Sequence, residues 1–154
     1  MKLAMNGALT IGTLDGANIE IRDAVGAEHM FIFGLTADRI QALRAEGSYR
    51  PRDLYEHDKR LKRIVDAIDS GLFSPGEPGL FHWIVESLLD RGDPYFHLAD
   101  LAAYMDAQRQ VDDAFRQPAE WASTAILNVA RIGRFSSDRT VAEYARDIWG
   151  IAGV

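Results

Sequence analysis

Leu9-Thr10-Ile11-Gly12-Thr13 and Met30-Phe31-Ile32-Phe33 are two short runs of apolar, β-branched and aromatic residues, bounded by Gly7, Asp15-Gly16, His29 and Gly34. Runs of this length and composition predict strands, and their continuity predicts burial on both faces. Between them, the nine positions Ala17 to Val25 have the length of one short helix, and Gly26 is placed to stop it. Strand, helix, strand predicts a parallel βαβ unit with a right-handed crossover. Two parallel strands do not make a stable sheet alone, so the pattern expects further strands outside the chain. Met1-Lys2-Leu3-Ala4-Met5-Asn6-Gly7 is helix-like and ends on Asn-Gly, with nothing ahead of it to cap its start. That too is what a partial domain looks like.

Beyond Gly34 the pattern is helical. Thr36 or Asp38 can cap a helix carrying Ile40 and Leu43 that ends near Gly47. From Asp53, the apolar positions Leu54, Leu61, Ile64, Val65 and Ile68 recur at helical spacing until Gly71. Phe73-Ser74-Pro75-Gly76-Glu77-Pro78-Gly79 reads as a loop. Leu80, Phe81, Ile84, Val85, Leu88 and Leu89 form the stripe of a compact helix, which Asp93-Pro94 breaks. Further helices are expected over 100–116, 120–131 and 138–148. Ser136 or Ser137 caps the last, with Val141, Tyr144, Ala145, Ile148 and Trp149 as its buried stripe.

The chain has 154 residues, 47% of them hydrophobic and 26% charged, which fits one ordered globular domain rather than a disordered segment. It has no cysteine, which excludes disulfides and thiolate metal sites. The net charge of −6 argues against a nucleic-acid partner. No apolar run approaches the length needed to span a bilayer, and no signal-peptide pattern opens the chain, so no membrane partner and a cytoplasmic location are expected. His29, His57, His82 and His97 fall on separate elements, so no metal site is expected. Trp83, Trp121 and Trp149 sit in apolar stripes and read as core rather than sugar platforms. Lys59-Arg60-Lys62-Arg63 stands among Glu56, Asp58 and Asp66, and reads as a solvated helix face before an anion or glucan surface.

Residues 1–18, from Met1-Lys2-Leu3-Ala4-Met5-Asn6-Gly7 through Asp15-Gly16-Ala17-Asn18, resemble the pyridoxal-phosphate region of the glycogen and starch (α-glucan) phosphorylases. His29-Met30-Phe31-Ile32-Phe33-Gly34, Ser70-Gly71-Leu72-Phe73-Ser74-Pro75 and Gly133-Arg134-Phe135-Ser136-Ser137-Asp138-Arg139-Thr140 through Trp149-Gly150 resemble later blocks of that family, in order. The resemblance covers essentially the whole chain and implies a mostly helical α/β fragment. That fragment is the last part of a Rossmann-like domain in a two-domain glycosyltransferase B fold, followed by a helical tail. Residues 1–154 then form a single partial domain, with 1–35 as the cofactor-lysine segment and βαβ unit and 36–154 as the helical region.

The position that matches the family's cofactor lysine is Lys2. The resemblance implies that Lys2 holds pyridoxal 5′-phosphate as a Schiff base, a role that needs a primary amine. It further implies a glycosyltransferase that attacks terminal α-1,4-linked glucose with inorganic phosphate, gives glucose 1-phosphate, and uses the cofactor's phosphate as a proton relay. The parent family is commonly homodimeric. The family's Glu-Ala-Ser-Gly-x-Gly-like stretch, its histidine, arginine and second lysine precede the matched region. Of the catalytic constellation only Lys2 carries over, and the chain alone is expected to be inactive. In the family the last helices pack toward the N-terminal half, so the isolated chain is expected to expose apolar surface. The other reading is a non-catalytic helical interaction module derived from the family. For Asp15-Gly16-Ala17-Asn18, a helix cap and turn stand beside a phosphate-binding helix start. Asn6 and Thr13 read as capping and packing residues before supports of a cofactor pocket.

Overall fold

A computed structural model describes residues 1–151. The described chain is mostly helical with a short parallel two-stranded sheet. In chain order it runs α1 (Lys2–Met5), β1 (Ile11–Thr13), α2 (Gly16–Val25), β2 (Phe31–Phe33), α3 (Ala37–Glu46), α4 (Pro51–His57) and α5 (Lys59–Asp69). α6 (His82–Val85), α7 (His97–Phe115), α8 (Pro118–Arg131) and α9 (Ser137–Asp147) follow. The described residues form two compact units, 1–32 with 107–151, and 33–106.

In the first unit, Phe31 N–H donates to Thr10 C=O at 2.9 Å and registers the two strands. Each strand is three residues long and half-buried throughout, not buried on both faces as its composition suggests. The reason is that, among the described residues, β1 and β2 are each other's only neighbours in the sheet, so both are edge strands. Asp15 starts α2 from extended backbone, but its carboxylate accepts from Thr13 Oγ1 at 3.1 Å and makes no cap bond. Asn18 Nδ2 donates to Thr13 C=O at 2.9 Å. It passes so close to β1 that a Cβ on Gly12 would lie 2.6 Å from it. Gly26, at φ +102°, ends α2 where expected, its N–H on Arg22 C=O at 2.8 Å. Ala4, Ile21, Val25, Met30 and Ile132 make the core of this unit. Full burial of a Val, Ile or Met side chain such as these contributes about 1.5–3 kcal/mol. α8 is tied to it by Arg131, which donates to Val25 C=O at 2.7 Å, and by Asn128, which donates to His29 C=O at 3.2 Å.

α9 has the cap expected of it, with Ser136 Oγ accepting from Asp138 N–H at 3.2 Å. Its stripe is not buried: Val141, Tyr144, Ile148 and Trp149 are exposed, and Ala145 is only half-buried. Amphipathic spacing announces a face that can be covered, and no described residue covers this one. The same correction applies to Trp149, and to Trp83 in the second unit, whereas Trp121 is half-buried and meets the Phe115 ring edge-on at 5.2 Å.

In the second unit Thr36 caps α3 through Arg39 N–H at 3.3 Å, and Gly47 ends it in the left-handed region. The helical run from Asp53 is two helices, not one. Asp58 takes extended backbone and its carboxylate accepts from Arg60 N–H at 2.8 Å and Leu61 N–H at 3.3 Å, so a capping acid outcompetes helix continuation. Those two amides, with the Arg60 guanidinium, hold the Asp58 carboxyl below its ordinary range. Leu61, Val65, Val85 and Leu98 form the core, and Ile64 is exposed. The stripe at Leu80–Leu89 resolves into the four-residue α6 and one wide turn over Glu86–Asp90, closed by Arg91 N–H on Glu86 C=O at 2.9 Å. Leu80 lies outside it and is exposed. α7 starts at His97, ahead of the expected Asp100, because Asp93 caps it. Among the described residues no helix is long and apolar enough to cross a membrane.

Candidate functional site

Lys2 opens α1, a helix of four residues that would not persist on propensity alone. Three local features hold it. Ala4 is buried against the core at 4% exposure, with Met5 packed beside it. Asn6 Nδ2 donates to Lys2 C=O at 2.8 Å. Gly7 N–H reaches Ala4 C=O at 3.1 Å and Ala8 N–H reaches Leu3 C=O at 3.1 Å, which is a Schellman closure with Gly7 at φ +89°. Asn-Gly at positions 6 and 7 encodes this ending, as only glycine takes that backbone without strain.

The side chain above this fixed backbone is free. Lys2 is exposed, and its ammonium has no hydrogen bond or ion pair among the described residues. Met1 and Leu3 on either side are exposed as well. The arrangement offers a primary amine on a pinned stem, which is what covalent attachment of an aldehyde cofactor requires of the protein. Asn6 and Thr13 have their polar groups committed, to Lys2 C=O and to Asp15, in keeping with capping and packing roles. The residues 15–18 turn is likewise occupied by its own contacts, Asn18 N–H on Asp15 C=O at 3.0 Å among them.

The histidines stand apart, as their spacing suggests. His82 Nδ1 meets Asp69 at 2.7 Å, His57 Nδ1 meets Asp53 C=O at 2.7 Å and His29 Nε2 meets Glu28 at 3.3 Å. The Asp69 carboxylate raises the His82 pKa above its ordinary value. Two members of the basic run on α5 are ion-paired, Arg60 with Asp58 at 3.3 Å and Lys62 with Asp66 at 3.4 Å.

One cluster has no signal in the local sequence. Asp93, with no exposed surface, accepts from Tyr49 Oη at 2.7 Å, His97 N–H at 3.0 Å and Leu98 N–H at 2.8 Å. The Tyr49 ring stacks on Phe96 at 4.5 Å. Burial, and then the Asp93 carboxylate, push the Tyr49 hydroxyl far above its ordinary pKa. Asp93 and Phe96 both take positive φ, at +48° and +60°. Read from the sequence, Asp93-Pro94 is only a helix breaker.

Lys2 is thus an exposed primary amine on a clamped helix end. The sequence profile described as carbohydrate phosphorylase matches residues 1–151. Over its whole length the chain is 56% identical to a glycogen phosphorylase of Synechocystis sp., covering 18% of that protein. Over 98% of the chain it is 51% identical to the brain form of glycogen phosphorylase from Homo sapiens, covering 18% of it. Over 98% of the chain it is 48% identical to a glycogen phosphorylase of Bacillus subtilis, covering 19% of it. The chain belongs to the carbohydrate phosphorylase family. It spans less than a fifth of the length of these curated relatives.

Proposed function

We propose that this chain is the C-terminal portion of an α-glucan phosphorylase, a single partial domain from the end of a glycosyltransferase B fold, and that Lys2 is its pyridoxal-phosphate attachment residue. The observation that carries the reading is the Lys2 ammonium, exposed and unpartnered on a helix locked to the core through Ala4. The parent activity is phosphorolysis of terminal α-1,4-linked glucose to glucose 1-phosphate. When bound, pyridoxal phosphate supplies the phosphate group that passes a proton to the substrate phosphate.

This chain's own part in that chemistry is positional. Lys2 Nζ tethers the cofactor, Asn6 fixes the carbonyl end of the lysine's own residue, and Ala4 sets the depth at which α1 sits. Substrate contacts come from the remainder of the phosphorylase chain, so the chain alone releases no glucose 1-phosphate from glycogen. The exposed apolar face of α9 supports the same view, as a surface for that remainder to cover.

Borohydride reduction of the 154-residue chain with pyridoxal phosphate, followed by peptide mapping, tests the reading. A pyridoxyl adduct concentrated on Lys2 is expected. An adduct absent from Lys2, or shared evenly with Lys59 and Lys62, refutes it and favours a helical interaction module without cofactor.

A further inference from the structure

A cleft of about 400 Å³ lies between the C-terminal end of α3 and the segment that leads into α7. Asp93 also lines it, fully buried, its carboxylate oxygens taken up by Tyr49 Oη and the His97 and Leu98 amides. Two guanidiniums line the walls. Arg44 donates to Pro94 C=O at 2.8 Å and lies over the Phe96 ring at 5.4 Å. Arg50 donates to Gly47 C=O at 2.6 Å and to Tyr49 C=O at 3.2 Å.

Neither arginine has an acidic partner among the described residues. Other arginines of this chain of net charge −6 do find one: Arg22 with Asp23, Arg52 with Asp90, Arg91 with Glu86, Arg139 with Glu143. Arg44 and Arg50 are held by backbone carbonyls, which fix their direction without cancelling their charge. Each uses a minority of its five N–H donors. Two guanidiniums held at one cleft, neither of them ion-paired, leave donor forks unused, and the fork geometry matches phosphate in bidentate fashion.

We infer that the Arg44–Arg50 cleft binds a phosphate group, either the free ion or a phosphomonoester. The inference does not rest on the phosphorylase reading. All of its residues belong to the Phe33–Asp106 unit, and Lys2 takes no part.

The test is titration of the full chain with inorganic phosphate, and separately with glycerol 3-phosphate, at constant ionic strength. Amide NMR shifts of Gly47, Tyr49 and Gly92 provide the readout. Saturable binding with Kd of about 1–10 mM is expected, weakened about tenfold by Arg44→Gln and by Arg50→Gln. Arg50→Lys, which keeps the charge and loses the fork, falls between wild type and Arg50→Gln and carries the test if Arg44→Gln disturbs folding. Arg63→Gln, a basic residue of α5 outside this cleft, leaves Kd unchanged. The tighter of the two probes identifies the source of the phosphate. Shifts that stay linear to about 50 mM, or equal weakening by Arg63→Gln, overturn the proposal.

Discussion

Removing the Asp93 carboxylate should loosen the start of α7 more than any other single polar change in its unit. In Asp93→Ala, the His97 and Leu98 amides lose their cap, a loss of about 0.5–2 kcal/mol. The Tyr49 hydroxyl, half-buried beneath Phe96, also loses its acceptor, and an unsatisfied group of this kind costs about 1–3 kcal/mol. Alanine at φ +48° adds strain that aspartate and asparagine tolerate better. The sum is about 2–4 kcal/mol, allowing for the non-additivity of linked contacts. In native-state hydrogen exchange, that is about 30- to 1,000-fold faster exchange of the α7 first-turn amides. Asp93→Asn keeps the backbone and one acceptor oxygen, and should recover part of the loss. Tyr49→Phe removes one bond of three and should cost less than Asp93→Ala. In the double variant the two losses should fall short of their sum by about 1 kcal/mol or more. Additive losses, or less than about fivefold faster exchange in Asp93→Ala, would refute the view of Asp93 as the hub joining Tyr49 to α7.

The Asp69–His82 contact makes a signed prediction: because the carboxylate raises the folded-state pKa of His82, its stabilisation is complete below the ordinary value of 6.5 and fades as pH rises through the raised one. Denaturation midpoints should therefore fall between about pH 6 and pH 8 in wild type, and Asp69→Asn should flatten that dependence. On α9, Ile148→Ser should leave the thermal stability of the isolated chain within about 0.5 kcal/mol, because Ile148 is 65% exposed. The same change should weaken association with the preceding portion of a phosphorylase by about 1–2 kcal/mol, measured by calorimetric titration, and equal affinity would detach α9 from that interface.

What the sequence disclosed and what it hid divide by the range of the interactions. Thr36, Gly47, Gly26, Ser136 and the Asn6-Gly7 ending act within a turn of their own helices, and each is where its chemistry says it should be. Lys2 stands out in the sequence only because the blocks around it resemble a family; its freedom from partners among the described residues is visible only in the fold. Asp58 lay in plain view among basic residues, but whether an acid continues a helix or caps the next one depends on backbone competition that periodicity does not report. Asp93 and Tyr49 meet across 44 residues, so no window of sequence contains both. The α9 stripe is amphipathic, as its spacing implies, yet it is exposed. Spacing shows that a face is apolar, and only the tertiary structure shows what, if anything, lies against it.

A lysine that tethers a cofactor has two opposed requirements, a backbone that does not move and a side chain that does. α1 separates them along its length. Everything that fixes it acts below or after Lys2: Ala4 in the core, Asn6 on the Lys2 carbonyl, Gly7 and Ala8 closing the last turn. Nothing among the described residues binds the ammonium itself. Met1 and Leu3, 57% and 78% exposed, flank it with apolar surface. On the proposed reading, a cover over Met1 and Leu3 would gain about 25 cal/mol for each Å² of apolar area it removes from water. The same cover would exclude water from around the amine, which favours its attack on an aldehyde. Docking and attachment are then one event seen from two sides. On that reading the selectivity of Lys2 over Lys59 and Lys62 in the open chain should rise further when Leu3 is buried and fall in Leu3→Ser.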